Sequence, residues 1–403
     1  MLEEFTFGSF HLNKRRRLLL RNGTPVSLGS RAIDILCELV AAQGELLTKN
    51  DLMARVWPNS VVEENNLQVH ISALRKVLGE QAEGRSWLQT VPGRGYRFAG
   101  AFDGELLRRS TLTAAAPNQD VMFCRAYDGV SLAVASIGQG PPLVRTGMWM
   151  THVEYDWSTS IWGPLLTRLA QHCRVIRYDQ RGNGLSDWDI PPISFQNAVE
   201  DLEVVVDASK LERFALLGMS QGVATAIAYA AKHPDRISRL ILTGGYTKGW
   251  RARGVPDQIA RGEAFQTLAQ IGWGQDNPAF RQLFTSLAIP DGTHIEMQAF
   301  NELQRRSSSP ENAARLIAML GAVDVTEQLK QVAVPTLVMH SRDDAWIPCE
   351  QGRAIAAAIP NARFVSIASK NHVVMSHEPE WERYIKELLD FLPVGSETPA
   401  KPA

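Results

Sequence analysis

Hydrophobic and polar positions change rhythm several times along the chain, and each rhythm names an element. Residues 3–28 alternate apolar and polar, with turn residues at Arg21-Asn22-Gly23-Thr24-Pro25, which predicts short antiparallel strands. From Ser30 the period becomes helical: "SRAIDILCELVAAQG" sets Ile33, Leu36, Cys37, Val40 and Ala41 on one face and stops at Gly44. A short helix in "LLTKNDLMARVWP" ends at Pro58. In "VVEENNLQVHISALRKVLGE" a third helix gathers Leu67, Ile71, Leu74 and Leu78 into a stripe for burial and turns Asn65, Gln68, Ser72, Arg75 and Lys76 the other way. "WLQTVPGRGYRFAG" reads as two strands around Pro92-Gly93-Arg94-Gly95, a hairpin with a cation at its tip.

Residues 101–120 carry no period and are rich in Ala, Thr and polar residues, the pattern of a linker. A second domain is expected from near Val121, where apolar strand runs alternate with amphipathic helices: "PPLVRTG", "WGPLLTRLAQH", "RVIRYDQRG", "AVEDLEVVVDASK", "FALLGMSQG", "ATAIAYAAKHP", "RLILTGG". Such alternation predicts a mostly parallel sheet with helices on both faces. Helical text holding Trp250, Phe265, Trp273, Phe284 and Phe300 interrupts it over about 247–333, which predicts a cap whose aromatics serve mainly to pack. Alternation resumes at "PTLVMHSRDD" and "ARFVSIAS" and closes with the helix "WERYIKELLDFL"; residues 394–403 have the composition of a disordered tail.

Composition adds little to this and excludes much. A length of 403 residues suits two domains with a core each. No apolar run approaches a membrane span, and no signal-peptide core follows the basic cluster at Lys14–Arg17, so a cytoplasmic protein is expected. Cys37, Cys124, Cys173 and Cys349 lie far apart with no Cys-x-x-Cys pair, which argues for reduced thiols and against a zinc site or disulfide framework. No metal or organic cofactor is indicated. The net charge of −1 divides as +3 over residues 1–100 and −4 over the rest, a weak sign that the first segment meets a polyanion.

One segment has the makings of chemistry. Ser220 stands in Gly218-Met219-Ser220-Gln221-Gly222, between an apolar strand and a helix of small residues. A serine there needs a base, an acid to orient the base and N–H donors for an oxyanion. His372 follows the last strand, and Asp343 and Asp344 follow the strand before it. His377 is the rival base and Asp343 the rival acid.

Two resemblances sharpen these readings. Through "VHISALRKVLG" followed by "TVPGRGYRF", residues 1–100 resemble the OmpR/PhoB-type winged helix-turn-helix effector domain, an α+β fold that reads double-stranded DNA. That resemblance implies DNA contacts from Asn65, Gln68, Ser72, Arg75 and Lys76 and a minor-groove contact from Arg94. Residues 121–393 resemble the α/β-hydrolase fold, whose chain order of serine, acid and histidine is met by Ser220, Asp344 and His372. Family spacing selects Asp344, with Ser341 standing where a glycine is usual. The oxyanion donors it implies are the backbone N–H groups of Trp149 and Gln221, although "VRTGMWMTH" has Gly147-Met148 where the family carries His-Gly. "YDQRGNGLSD" supplies Asp179, Arg181, Gly182, Gly184 and Ser186 as scaffolding.

The function expected is a one-component transcriptional regulator whose α/β-hydrolase module binds and hydrolyses a small ester, lactone or thioester. Paired half-sites make a homodimer the expected form. A serine hydrolase with an accessory autoregulatory winged helix, and a ligand sensor with an idle triad, stay open beside it.

Overall fold

The computed structural model describes residues 4–14, 17–21, 24–26, 28–42, 46–57, 64–79, 86–91, 94–99, 119–275 and 277–393. The chain divides into two compact units, Met1–Ala115 and Ala116–Ala403.

In the first unit the early alternation becomes four short antiparallel strands, β1 (Glu4–Phe7), β2 (Phe10–Asn13), β3 (Leu18–Arg21) and β4 (Thr24–Pro25), in that order across one sheet. Helices α1 (Ser30–Ala41), α2 (Lys49–Val56) and α3 (Glu64–Leu78) follow. A second sheet, ordered β5 (Leu47–Thr48), β7 (Gly95–Phe98), β6 (Leu88–Val91), ends the unit with a hairpin. Thr48 starts α2 with a reciprocal cap: its hydroxyl accepts from the Asp51 N–H, and the Asp51 carboxylate accepts from the Thr48 N–H. The α3 stripe is buried as read, in the same core cluster as Phe7, Phe10, Trp87 and Phe98. Helix α1 departs from its single face: Ala32, Ile35 and Leu39 are buried as well, while Ala41 is exposed. Residues buried around more than half its circumference cannot be ranked by one amphipathic stripe.

The second unit is an eight-stranded sheet, ordered β15-β14-β13-β12-β10-β11-β9-β8. Its strands are β8 (Asp120–Arg125), β9 (Ser131–Ile137), β10 (Pro142–Arg145), β11 (Arg174–Tyr178), β12 (Phe214–Met219), β13 (Ile237–Thr243), β14 (Thr336–Ser341) and β15 (Arg363–Ile367). From β11 to β15 every pairing is parallel, and β9 runs antiparallel to both β8 and β11. Helices α4 (Gly163–Ala170), α5 (Phe195–Ala208) and α6 (Gly222–Lys232) make the crossovers, with α11 (Cys349–Ala358) and α12 (Trp381–Phe391) closing the fold. All six residues of β12 are buried, as a strand covered on both faces must be. Four helices interrupt the sheet between β13 and β14: α7 (Pro256–Gly272), α8 (Ala279–Ala288), α9 (His294–Ser307) and α10 (Pro310–Ala322).

Strand β8 begins at Asp120, so the last two residues assigned to the linker, Gln119 and Asp120, belong to the structured second unit; residues 101–118 lie outside the described residues, as does the tail 394–403. Among the described residues no helix is long and apolar enough to cross a membrane. Burial pushes the thiols of Cys37, Cys124 and Cys173 up to about 11, away from reactive thiolate character.

Candidate active site and nucleic-acid interface

Ser220 occupies the turn from β12 into α6 with φ of +51°, a left-handed conformation costly for a residue with a Cβ. Its N–H donates to Thr243 O at 2.8 Å, anchoring the turn to the neighbouring strand. Close packing demands the flanking glycines. A Cβ on Gly218 would lie 2.8 Å from Ala226 Cβ, and one on Gly222 would lie 2.2 Å from Thr146 Oγ1 and 2.6 Å from Gly147 O. The sharp turn therefore lifts the serine hydroxyl above the sheet at the N-terminus of α6, where the helix dipole favours negative charge.

The distant parts meet there. His372 Nε2 is 2.8 Å from Ser220 Oγ, and its Nδ1 is 2.7 Å from Asp344 Oδ2. The other carboxylate oxygen, Asp344 Oδ1, accepts the backbone N–H groups of Trp346 at 2.8 Å and Ile347 at 2.9 Å. Burial opposes charge on Asp344, but His372, the His340 and His372 hydrogen bonds and the Ile347 N–H outweigh it and hold its pKa below the ordinary value. The rivals sit elsewhere: Asp343 is exposed beside Arg342, and His377 pairs with Glu296 at 3.0 Å.

The loop after β10 is held from several sides. Gln180 Nε2 donates to Met148 O at 3.0 Å. Because C=O and N–H point oppositely across a trans peptide, this bond fixes the direction of the Trp149 N–H, away from Gln180. Met150 follows in a left-handed conformation, φ +44°. The Trp149 indole is buried, stacks on Phe284 at 5.4 Å, meets Trp273 and Trp346 edge-on, and donates to Gln304 Oε1 of α9 at 3.1 Å. Gln304 in turn donates to Thr285 Oγ1 at 2.8 Å. Trp273 and Phe284, read as cap packing, thus pack on the very loop that carries Trp149.

Beneath this loop lies a buried charge cluster of which sequence reasoning singled out only Asp179, as scaffolding. Asp156 accepts from Arg145 at 3.2 Å, Arg177 at 3.1 Å and the His152 N–H at 3.1 Å. Asp179 accepts from the N–H groups of Val153 and Leu185, yet burial and the nearby Asp156 push it up to about 7. Glu378 was missed as well: it accepts from Asn371 at 2.9 Å, the Met375 N–H at 2.6 Å and Ser369 at 2.5 Å, bracing the segment that bears His372. Its only signal in sequence was its place beside Pro379.

In the first unit, Gln68, Ser72 and Lys76 lie exposed on α3, and Arg94 is exposed beside the hairpin turn. Val69 is 64% exposed among them, an apolar position the polar-face reading passed over. Arg75, expected among the DNA contacts, is half-buried: its guanidinium donates twice to Leu88 O and once to Thr90 Oγ1, tying α3 to β6. Asn65 lies within α3, but its side chain is outside the described residues, as are Pro92 and Gly93 of the turn.

Residues 23–98 match the family model described as transcriptional regulatory protein, C terminal, and residues 150–271 match the alpha/beta hydrolase fold model. The AB hydrolase superfamily protein YisY of Bacillus subtilis (strain 168) is 26% identical over 273 residues, covering 64% of this chain and 94% of its own. Pyrrolizixenacetamide deacetylase of Xenorhabdus hominickii is 24% identical over 265 residues, covering 63% and 92%. Among solved structures, a hydrolase from Pseudomonas aeruginosa PA01 superposes with a TM-score of 0.57 at 24% identity, covering 68% of this chain and 98% of its own.

Proposed function

Because the chain joins a transcriptional-regulator winged helix to an α/β-hydrolase domain, we propose that it is a cytoplasmic one-component regulator, acting as a homodimer on DNA, whose C-terminal module binds and hydrolyses a small acyl compound. The reading is carried by the hydrogen-bonded line Ser220–His372–Asp344 in a chain that also holds the winged helix. His372 Nε2 takes the hydroxyl proton as Ser220 Oγ attacks the acyl carbon. The N–H groups of Gln221 and Trp149 receive the oxyanion, and His372 returns the proton to the leaving group. Water then attacks the acyl-serine by the same base. Esters, lactones and thioesters suit this chemistry, and the deacetylase relative adds acylated amines to the candidates. Gln68, Ser72, Lys76 and Arg94 are the side chains assigned to DNA.

Fluorophosphonate labelling of the full chain tests the first half: an adduct is expected on Ser220 and none on Ser220→Ala, and wild type left unlabelled refutes the catalytic reading. Footprinting on DNA selected from a random library tests the second, with salt-sensitive protection expected. Protection altered identically by ester in wild type and Ser220→Ala would remove turnover from the switch.

A further inference from the structure

Gln119 is the first described residue after the segment that leads from the winged helix, and its side chain is not free. Its Oε1 accepts from Trp157 Nε1 at 2.7 Å and from Arg177 Nη2 at 2.8 Å, while its Nε2 donates to Val153 O at 3.0 Å. Two donors converge on one end of the amide and a carbonyl on the other, so a single orientation satisfies all three. A carboxylate lacks the donor and an ammonium lacks the acceptor. A side-chain amide completes this arrangement, and Gln has the reach.

These partners are the underside of the loop that carries Trp149. Arg177 and the Val153 N–H lead to Asp156 and Asp179. From there the loop runs through the strained Met150 to the Trp149 peptide, whose indole is held by Gln304 in the cap. Hydrogen bonds, packed rings and the backbone of residues 149–153 thus join three places: the cap, the oxyanion loop and Gln119. A signal that leaves the hydrolase unit needs a point of departure held by several bonds at once, which is what the three bonds of Gln119 supply.

We propose that Gln119 is a positioning residue for regulation, fastening the N-terminal end of the hydrolase unit to the oxyanion loop so that occupancy of the Ser220 site changes the affinity of the full chain for DNA. This rests on the reading of the chain as a ligand-responsive regulator. Filling the site displaces the cap and the Trp149 peptide, the loop shifts against Asp156 and Asp179, and the shift reaches Gln119 at the N-terminal end of the described hydrolase unit. By linkage, DNA must alter occupancy of the site by the same factor.

The test uses the full-length protein, a fluorophosphonate as the occupant and DNA selected by the protein from a random library. For wild type, the phosphonylated and unmodified forms should differ in Kd for that DNA by at least about fivefold. In Gln119→Leu the ratio should fall to within about twofold of unity, with the labelling rate and the unmodified Kd kept within about threefold of wild type. A variant that couples as strongly as wild type overturns the role of Gln119 and leaves the regulator reading standing. A wild type with a ratio of one overturns both. Hydrogen exchange on the wild type covers a variant that folds poorly: phosphonylation should change the amides of 148–157 and 119–123 together. A shift in DNA affinity with unchanged exchange at 119–123 overturns the proposal.

Discussion

Asp344→Asn isolates the charge of the acid at almost constant volume, and the structure dictates how the amide must sit. Asp344 Oδ1 accepts two backbone N–H groups, from Trp346 and Ile347. Turning an NH2 toward them would oppose donor to donor twice, at about 1–3 kcal/mol for each group left unsatisfied. The amide oxygen therefore stays on that side, and the NH2 faces His372 Nδ1, where Oδ2 had accepted. Nδ1 must then accept, so the proton moves to Nε2, the nitrogen 2.8 Å from Ser220 Oγ. A protonated Nε2 cannot take the serine proton. The same exchange of tautomer in the serine protease template lowers kcat by about 10⁴-fold, or roughly 5–6 kcal/mol of activation free energy. Stopped-flow phosphonylation of Ser220 and p-nitrophenyl ester hydrolysis at pH 7–8 should both fall by about 10³–10⁴ in kcat, with binding little changed. Asp343→Asn, the exposed neighbour, should remain within about twofold. A kcat for Asp344→Asn within tenfold of wild type would refute the assignment of the acid and the tautomer argument together.

Gly222→Ala should slow phosphonylation and lower stability by more than about 1 kcal/mol in urea denaturation, because its Cβ would lie 2.2 Å from Thr146 Oγ1; a neutral result would mean that the turn and the Thr146 strand end are not in close contact. Asp179→Asn bears on pH. With its folded pKa raised to about 7, wild-type stability should fall as pH rises from about 4 to about 7, by up to about 1.4 kcal/mol per unit, and level off above. The Asn variant should lack that decline, so equal pH slopes would contradict the buried carboxyl reading. Arg75→Ala should destabilise the winged helix by about 1–3 kcal/mol through loss of its bonds to Leu88 and Thr90. Lys76→Ala should leave stability unchanged and reduce the salt slope of DNA binding by about one. A variant pair with these two effects interchanged would reverse their roles.

The periodic parts of the chain were legible because their physics is local. A stripe such as Leu67, Ile71, Leu74 and Leu78 is buried whatever it packs against. The order Ser220, Asp344, His372 could be read because it is the order the resemblance to the α/β-hydrolase fold implies, and a parallel sheet brings those strand ends to one edge. Tertiary partners of polar residues could not. Arg75 has the helical phase of an exposed cation, and only the position of β6 turns it inward. Asp156 and Gln119 belong to no period or motif and Glu378 only to the Glu-Pro step, and each acts through side-chain and backbone groups that fold into its reach from elsewhere.

The strand that follows the linker is also the outermost strand of the sheet, paired only with β9. That placement has an architectural consequence. An extra domain arriving at β8 interrupts no interior ladder and displaces no crossover, so the hydrolase fold can accept a foreign N-terminal module as readily as a building accepts an annexe at its gable end. Recombination could exchange the DNA reader while the chemistry on the far side of the sheet stays intact. Under the proposed coupling Gln119 stays with the hydrolase unit, so an exchanged module joined ahead of it would inherit the same point of attachment.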